Sequence, residues 1–145
     1  MNPPDGYAHY SDVRVRFAET DAQGVVYHSN FLVYCEVARV EYFRALAGGG
    51  RDPWDARDFQ ALIAHAECDY RSPARFDDVL RVWTRVAAVG RSSFTFTFRI
   101  VQRDDGRLVC DAKTVQVAIG RETQKPAPLP AEWIAALKAF EPSLG

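Results

Sequence analysis

The stretch NFLVYCEVARVEYFRALA, residues 30 to 47, decides the fold. Its apolar side chains recur at spacings of three and four residues, which is the pattern of one buried helix face. The spacing predicts a helix of about 18 residues, roughly 27 Å long. Ser29 and Asn30 are the predicted N-caps, and the glycines at positions 48 to 50 end the helix. The predicted apolar stripe consists of Phe31, Tyr34, Cys35, Ala38, Tyr42, Ala45 and Leu46.

Five other segments alternate apolar and polar residues, the period of a half-buried strand. Short connections, among them the turn Asp104-Asp105-Gly106, indicate a largely antiparallel sheet whose last four strands form a meander. The five segments are SDVRVRF (11–17), ALIAHAECDY (61–70), VLRVWTRVAAV (79–89), SFTFTFRI (93–100) and RLVCDAKTVQVAIG (107–120).

The sheet and the helix each have one apolar face, and both faces are buried if the sheet wraps around the helix. We therefore predict an α+β fold, with a five-stranded antiparallel sheet around one long central helix. The phenylalanines at 94, 96 and 98 are predicted core residues, and a last short helix is expected after KPAPLP, residues 125–130.

Length and charge limit the function. The 145 residues predict one domain, with its core at about residues 10 to 135. A net charge of -1 without a basic block argues against nucleic-acid binding. No apolar run is long enough for membrane insertion, and the first ten residues lack the pattern of a signal peptide, so a cytoplasmic location is expected.

The cysteines are predicted to be buried free thiols. Cys35, Cys68 and Cys110 are odd in number, far apart, and placed in apolar or alternating segments. No CxxC, HExxH or His/Cys cluster occurs, so we expect no metal site.

The segment ETDAQGVVYHSN, residues 19 to 30, carries more chemistry than a connector needs. A helix N-terminus offers unpaired N–H groups and a partial positive charge, which suit an oxyanion. Asp21 supplies a carboxylate that could act as a nucleophile or as a general base on water. Gly24 permits a sharp turn or a close approach to a ligand. Ser29 and Asn30 are interpreted as helix caps rather than catalysts.

The stretch RFAETDAQGVVYHSNFLVYCEVARVEYFR, residues 16 to 44, closely resembles the signature of the hotdog-fold acyl-CoA thioesterases of the 4-hydroxybenzoyl-CoA thioesterase family, including its Tol-Pal-associated branch. YRSPARFDDVLRV, VGRSSFTFTFRI and TVQVAIGRETQKPAPLP agree in order and spacing. The likeness covers roughly residues 10 to 135. One departure is Phe17, where the Tol-Pal-associated branch often has Tyr, so a role for that hydroxyl is absent.

The resemblance implies thioester hydrolysis of an acyl-CoA by Asp21, with the backbone N–H of His28 binding the thioester carbonyl. It also implies a homodimer whose sheets join edge to edge, with active sites at the interface and often further pairing into a homotetramer. No cofactor or metal is implied, because CoA belongs to the substrate.

Residue chemistry indicates the candidate substrate contacts. Tyr27 and Gly24 in the motif are candidate substrate-binding residues. CoA carries phosphates, for which Arg91, followed by Ser92 in a tight turn, is the first candidate. Arg75 and Arg71 are the next candidates for binding these phosphates, although their presence is better explained by a turn that has to be polar to remain soluble.

Two other functions fit these residue types. One is a hotdog hydratase or dehydratase acting on acyl thioesters through an Asp/His pair. The other is a non-catalytic acyl-CoA-binding module. The acyl group itself depends on the pocket wall, for which Phe31 and Tyr34 are candidates.

Overall fold

The computed structural model describes residues 1–48 and 60–144 of the chain. The elements in chain order are β1 (His9–Arg14), a 3-10 turn (Phe17–Glu19), α1 (Asn30–Leu46), β2 (Gln60–Tyr70), β3 (Val79–Val89), β4 (Ser93–Gln102), β5 (Leu108–Ile119), α2 (Ala131–Phe140) and a final 3-10 turn (Pro142–Leu144). All five predicted strands and both predicted helices are confirmed. The first strand starts earlier than predicted and ends at Arg14, because the next residues turn towards α1.

Helix α1 has 17 residues and lies against the sheet with most of its predicted stripe inward, but Ala45 near its end is exposed and Leu46 is only partly buried. Its side chains at 31, 34, 35, 38 and 42 are all buried. The facing side of β4 carries the phenylalanines at 94, 96 and 98, which are at most 1% exposed. Their predicted place in the core is confirmed. Gly48 ends the helix with φ of 83°, while the glycines at 49 and 50 lie outside the described residues.

The predicted meander is wrong in one respect, because β2 does not pair with β3. The strand order is β1-β3-β4-β5-β2, and all four pairings are antiparallel. The connection at residues 71–78 could reach about 26 Å when extended. It has to cross only three strand spacings, about 14 Å, to pass from β2 to β3. A short connection therefore did not require neighbouring strands.

Strand β2 is one edge of the sheet and is exposed along most of its length. Leu62 is 52% exposed and Ile63 is 46% exposed, so large apolar side chains of this strand are not covered within one chain. The register also shifts between Ile63 and His65. A long apolar edge strand of this kind is normally covered by another chain or element.

The three thiols are free, as predicted. Cys35 and Cys110 are buried, whereas Cys68 on β2 is only half-buried. No helix in the described part of the chain is long and apolar enough to cross a membrane.

Candidate active site

Asp21 lies at the start of a tight hairpin that joins the first 3-10 turn to α1. Thr20 pairs with Val26 across this hairpin. The N–H of Asp21 donates to the carbonyl of Val25 at 2.9 Å, and the N–H of Gly24 donates to the carbonyl of Asp21 at 2.9 Å. Gly24 has φ of 78°, in the left-handed region that favours glycine. Gly24 therefore makes the sharp turn, whereas its contact with a substrate stays a prediction.

The carboxylate of Asp21 is half-buried and uses one oxygen to hold the hairpin. Its Oδ1 accepts a 2.8 Å hydrogen bond from the N–H of Gln23, the Asx interaction common in turns. No donor in residues 1–48 and 60–144 bonds to Oδ2. One carboxylate oxygen thus orients the side chain, and the other is open to a water or a substrate.

The backbone amides that precede α1 are the second component of the site. The first three amides of α1 donate to carbonyls three residues earlier, at 2.9 to 3.3 Å. The N–H groups of His28 and Ser29 meet no acceptor within the described ranges. They lie at the N-terminus of α1, where the helix dipole contributes a partial positive charge. This end of the helix can therefore hold a developing oxyanion.

Aromatic rings surround His28. The Tyr27 and His28 ring centroids are 4.5 Å apart. From the end of β2, the Tyr70 hydroxyl donates to the carbonyl of His28 at 3.2 Å, and its ring lies 5.7 Å from that of Phe31. Tyr27 is 47% exposed and Tyr70 is 50% exposed, so both rings offer surface to a ligand. Substrate contact by Tyr27 stays a prediction.

Glu19 joins the hairpin to α1. Its carboxylate accepts hydrogen bonds from the N–H and Nε of Arg16 at 2.8 and 2.9 Å, and from the Tyr34 hydroxyl at 2.9 Å. Its backbone carbonyl accepts from the N–H of Tyr27 and from Nδ2 of Asn30, both at 2.9 Å. Burial alone would raise the pKa of Glu19, but the bonds from Arg16 and Tyr34 outweigh it and lower the pKa.

The predicted caps behave differently from expectation. Ser29 occupies the N-cap position of α1 but makes no side-chain capping bond. Asn30 is the first residue of the helix, and its side chain donates to the Glu19 carbonyl instead. Neither predicted cap therefore accepts a hydrogen bond from the backbone amides at this end of the helix.

Arg75, a lower-ranked candidate for the CoA phosphates, lies beside the hairpin of Asp21. Its Nη1 is 3.5 Å from the carbonyl oxygen of Gly24. Arg71 pairs with Asp69 and Asp111, at 3.8 and 3.9 Å. Arg75 is thus the basic side chain next to the loop, and Arg71 is held in ion pairs.

Arg91 and Ser92 lie at the far end of the sheet from Asp21. The hairpin of Asp21 is bonded to the connection that leads into β3, through the N–H of Val26 and the carbonyl of Ala74. Arg91 follows the other end of β3, an 11-residue strand about 33 Å long. One chain therefore does not bring Arg91 to its own Asp21, and their roles in binding stay predictions.

Glu19 and Tyr70 belong to the site but were not predicted from the sequence. Glu19 stands only two positions before Asp21, and a carboxylate next to a catalytic candidate was the available signal. Tyr70 gave no signal, because its contact with His28 depends on where β2 ends in space. Phe17, which stands where the Tol-Pal-associated branch often has Tyr, is 75% exposed. Its ring packs edge-to-face on that of Phe76, with the ring centroids 5.7 Å apart.

Metal ligands are not grouped in this region. Residues 1–48 and 60–144 contain no set of three or more His, Cys, Asp or Glu side chains able to hold a metal ion. The expected absence of a metal and of a cofactor stays a prediction.

Comparison with known proteins agrees with this architecture. The acyl-CoA thioester hydrolase YbgC of Escherichia coli O6:H1 is 32% identical over 126 residues, which cover 87% of this chain and 92% of that protein. The 1,4-dihydroxy-2-naphthoyl-CoA hydrolase of Synechocystis is 30% identical over 124 residues, covering 86% and 90%.

A solved structure gives the same fold. A Thermus thermophilus thioesterase, solved in complex with coenzyme A and Zn, superposes with a TM-score of 0.81 at 29% identity, covering 96% of this chain and 98% of that one. The family model described as the thioesterase-like superfamily matches residues 15–137. The chain therefore belongs to the thioesterase-like superfamily, as a hotdog-fold enzyme of the thioester hydrolase class.

Proposed function

We propose that the chain hydrolyses an acyl-CoA thioester to the free acid and CoA, with Asp21 as the catalytic carboxylate and the amide of His28 as the oxyanion donor. The observation that carries this proposal is the pairing of two unused groups on one short loop. Asp21 keeps Oδ2 free while Oδ1 is fixed, and the amides of His28 and Ser29 meet no acceptor in the described chain.

The reaction needs few other groups. Water, activated by Asp21, adds to the thioester carbon, and the carbonyl oxygen becomes an oxyanion held at the N-terminus of α1. Collapse of this intermediate breaks the C–S bond. A thiol has a pKa of about 8.5, so CoA leaves as a thiolate without a dedicated acid. Direct attack by Asp21, with hydrolysis of the resulting mixed anhydride, uses the same geometry.

The substrate class rests on the named relatives. Two of them are hydrolases of CoA esters, and one solved relative holds coenzyme A. Their substrates differ, so the acyl group of this chain has to be measured. The proposal includes the cytoplasmic location expected from the sequence.

The proposal also includes a homodimer, or a homotetramer built from dimers, in which the sheet of each subunit wraps around its own α1. Strand β2 supports this because 11 residues of sheet edge, with Leu62 and Ile63 exposed, lie open beside Tyr70 and the site. Sedimentation equilibrium should give a dimer or tetramer mass. A monomer at micromolar concentration would contradict this part.

Thiol release from short, long and aromatic acyl-CoA esters tests the activity. The wild type should hydrolyse at least one ester, and Asp21→Asn should lose most of that rate while keeping its fold, because an amide oxygen can still accept from Gln23. Asp104→Asn, an exposed acid in the β4–β5 turn, is the matched control and should keep full activity.

The alternative functions give different results. Saturable binding of the esters without thiol release would indicate a binding module, and a change in enoyl-CoA absorbance would indicate a hydratase. Equal rates for the wild type and Asp21→Asn would refute the role of Asp21.

The role of His28 is separable from its side chain. A backbone donor is independent of residue type, so His28→Ala should reduce kcat by less than about tenfold. A loss as large as that of Asp21→Asn would assign the function to the imidazole instead.

A further inference from the structure

We infer that Glu19 is a positioning residue for catalysis, which sets the placement of Asp21 relative to the His28 amide. This inference rests on the proposed function. It goes further in assigning a role to a carboxylate that does not itself touch the reacting atoms.

Glu19 binds three different parts of the site at once. Its carboxylate holds Arg16, before the hairpin, and Tyr34, in the second turn of α1. Its carbonyl holds Tyr27, the residue before His28, and Asn30, the first residue of α1. Through these bonds, both ends of the hairpin and the start of the helix share one anchor.

The carboxylate of Glu19 is buried, and both of its oxygens accept hydrogen bonds. Glu19 is 8% exposed. Oε1 accepts from the Arg16 N–H and the Tyr34 hydroxyl, and Oε2 accepts from Arg16 Nε. Such charge-assisted bonds are shorter and stronger than neutral ones. A change in this carboxylate is therefore transmitted to the loop rather than absorbed by solvent.

The distance along the chain makes the coupling direct. Asp21 is two residues after Glu19, and His28 is one residue after Tyr27, whose N–H bonds to the Glu19 carbonyl. Along the chain, Glu19 and Tyr27 are joined by the hairpin of residues 20–26. Within the described residues, this hairpin makes no hydrogen bond to α1 itself. Glu19 thus determines the relative position of the carboxylate and the oxyanion donor.

The Glu19→Gln variant keeps the size and shape of the side chain but no longer offers two acceptor oxygens to the three donors. A glutamine can present one oxygen, so its NH2 group would face a donor, either Arg16 Nε or the pair at Oε1. A misplacement of about 1 Å can lower a rate by about 100-fold. We expect kcat to fall about 10- to 100-fold, with KM changed by less than about threefold.

The experiment measures kcat, KM and melting temperature on the ester that the wild type hydrolyses fastest. The variants are Glu19→Gln, Tyr34→Phe, Asp21→Asn, and Glu122→Gln as an exposed control. Tyr34→Phe removes one of the three donors without touching the charge, and should lower kcat by about three- to tenfold. It keeps the test decisive if Glu19→Gln does not fold.

A double variant separates positioning from stability. If Glu19 acts through Asp21, Glu19→Gln combined with Asp21→Asn should lose much less than the product of the two single losses. A product of both losses would overturn the inference. So would a folded Glu19→Gln with wild-type kcat beside an inactive Asp21→Asn, an outcome that leaves the proposed function intact. Activity in Asp21→Asn equal to wild type would refute the proposed function itself.

Discussion

The hydroxyl of Tyr42, in the C-terminal half of α1, donates a 2.8 Å hydrogen bond to Oε1 of Glu141, just past the end of α2. It matches the bond from Tyr34 to Glu19 two turns earlier on the same helix. Both acids are buried, but their pKa values move in opposite directions. Burial raises the pKa of Glu141, and its bonds to Tyr42 and the backbone do not reverse this. The hydrogen bonds from Arg16 and Tyr34 reverse it for Glu19, whose pKa is lowered.

The raised pKa of Glu141 predicts a pH-dependent effect of Glu141→Gln. The contribution of the wild-type acid to stability is full below its unfolded pKa and is lost as pH rises through its higher folded pKa. Glutamine does not ionise. The melting temperature of Glu141→Gln relative to wild type should therefore rise between about pH 4 and pH 8. Thermal unfolding across that range measures it.

Glu122→Gln controls this measurement, because Glu122 is exposed in the turn after β5. It shows how a Glu→Gln change outside the core affects the melting temperature at each pH. A Glu141→Gln difference that does not rise with pH beyond that of Glu122→Gln would contradict the raised pKa of Glu141.

The lowered pKa of Glu19 predicts the opposite sign. A depressed folded pKa gives stability that is present above the unfolded value, about 4.5, and is lost as pH falls through the folded pKa. At pH 7, Glu19→Gln should be less stable than wild type by about 1 to 3 kcal/mol, the cost of leaving a buried donor unpaired. The gap should shrink below pH 4.5. Urea unfolding at pH 7 and pH 3 tests this, and a gap that widens in acid would contradict it.

The fold was predictable where a pattern is local. The predicted bounds of strand β3 match the observed ones, and most of the apolar stripe predicted for α1 is its buried face. The position of β2 in the sheet was not predictable. Its pairing with β5, and not with the next strand β3, depends on contacts between segments that are far apart in the sequence. The same distinction between local and long-range features applies to the site. Asp21 and His28 stand in one motif, but the bond from Tyr34 to Glu19 exists only after the hairpin closes on the helix.

The positive φ of Gly24 predicts a local effect on activity. An added Cβ would meet nothing closer than Nη1 of Arg75 at 4.0 Å, so Gly24→Ala strains the backbone without a clash. Gly106 has φ of 74° and open space around it, at the turn between β4 and β5. Both alanine variants should lose about 1 to 2 kcal/mol of stability.

Only the hairpin carries Asp21, so only Gly24→Ala should also lower kcat for thioester hydrolysis. Steady-state rates of the two variants, compared at equal folded fraction, provide the measurement. Equal kcat in both would show that the hairpin tolerates the distortion.

The position of Arg91 predicts that substrate binding is shared between subunits. Within one chain, the length of β3 separates Arg91 from Asp21 by about 33 Å, so a CoA phosphate held by Arg91 would belong to the site of another subunit. Loss of a charge-assisted bond costs about 1.5 to 3 kcal/mol. Arg91→Ala should therefore raise KM about tenfold or more, with kcat nearly unchanged.

Mixed dimers make this prediction specific to the subunit arrangement. In a dimer of one Asp21→Asn subunit and one Arg91→Ala subunit, one site has both substitutions, and the other combines an intact Asp21 with an intact Arg91 from the partner. Unfolding and refolding the two variants together should therefore restore a wild-type KM, at about half the wild-type kcat per mixed dimer. A KM that stays at the Arg91→Ala value after mixing would mean that Arg91 does not complete the site of the neighbouring subunit.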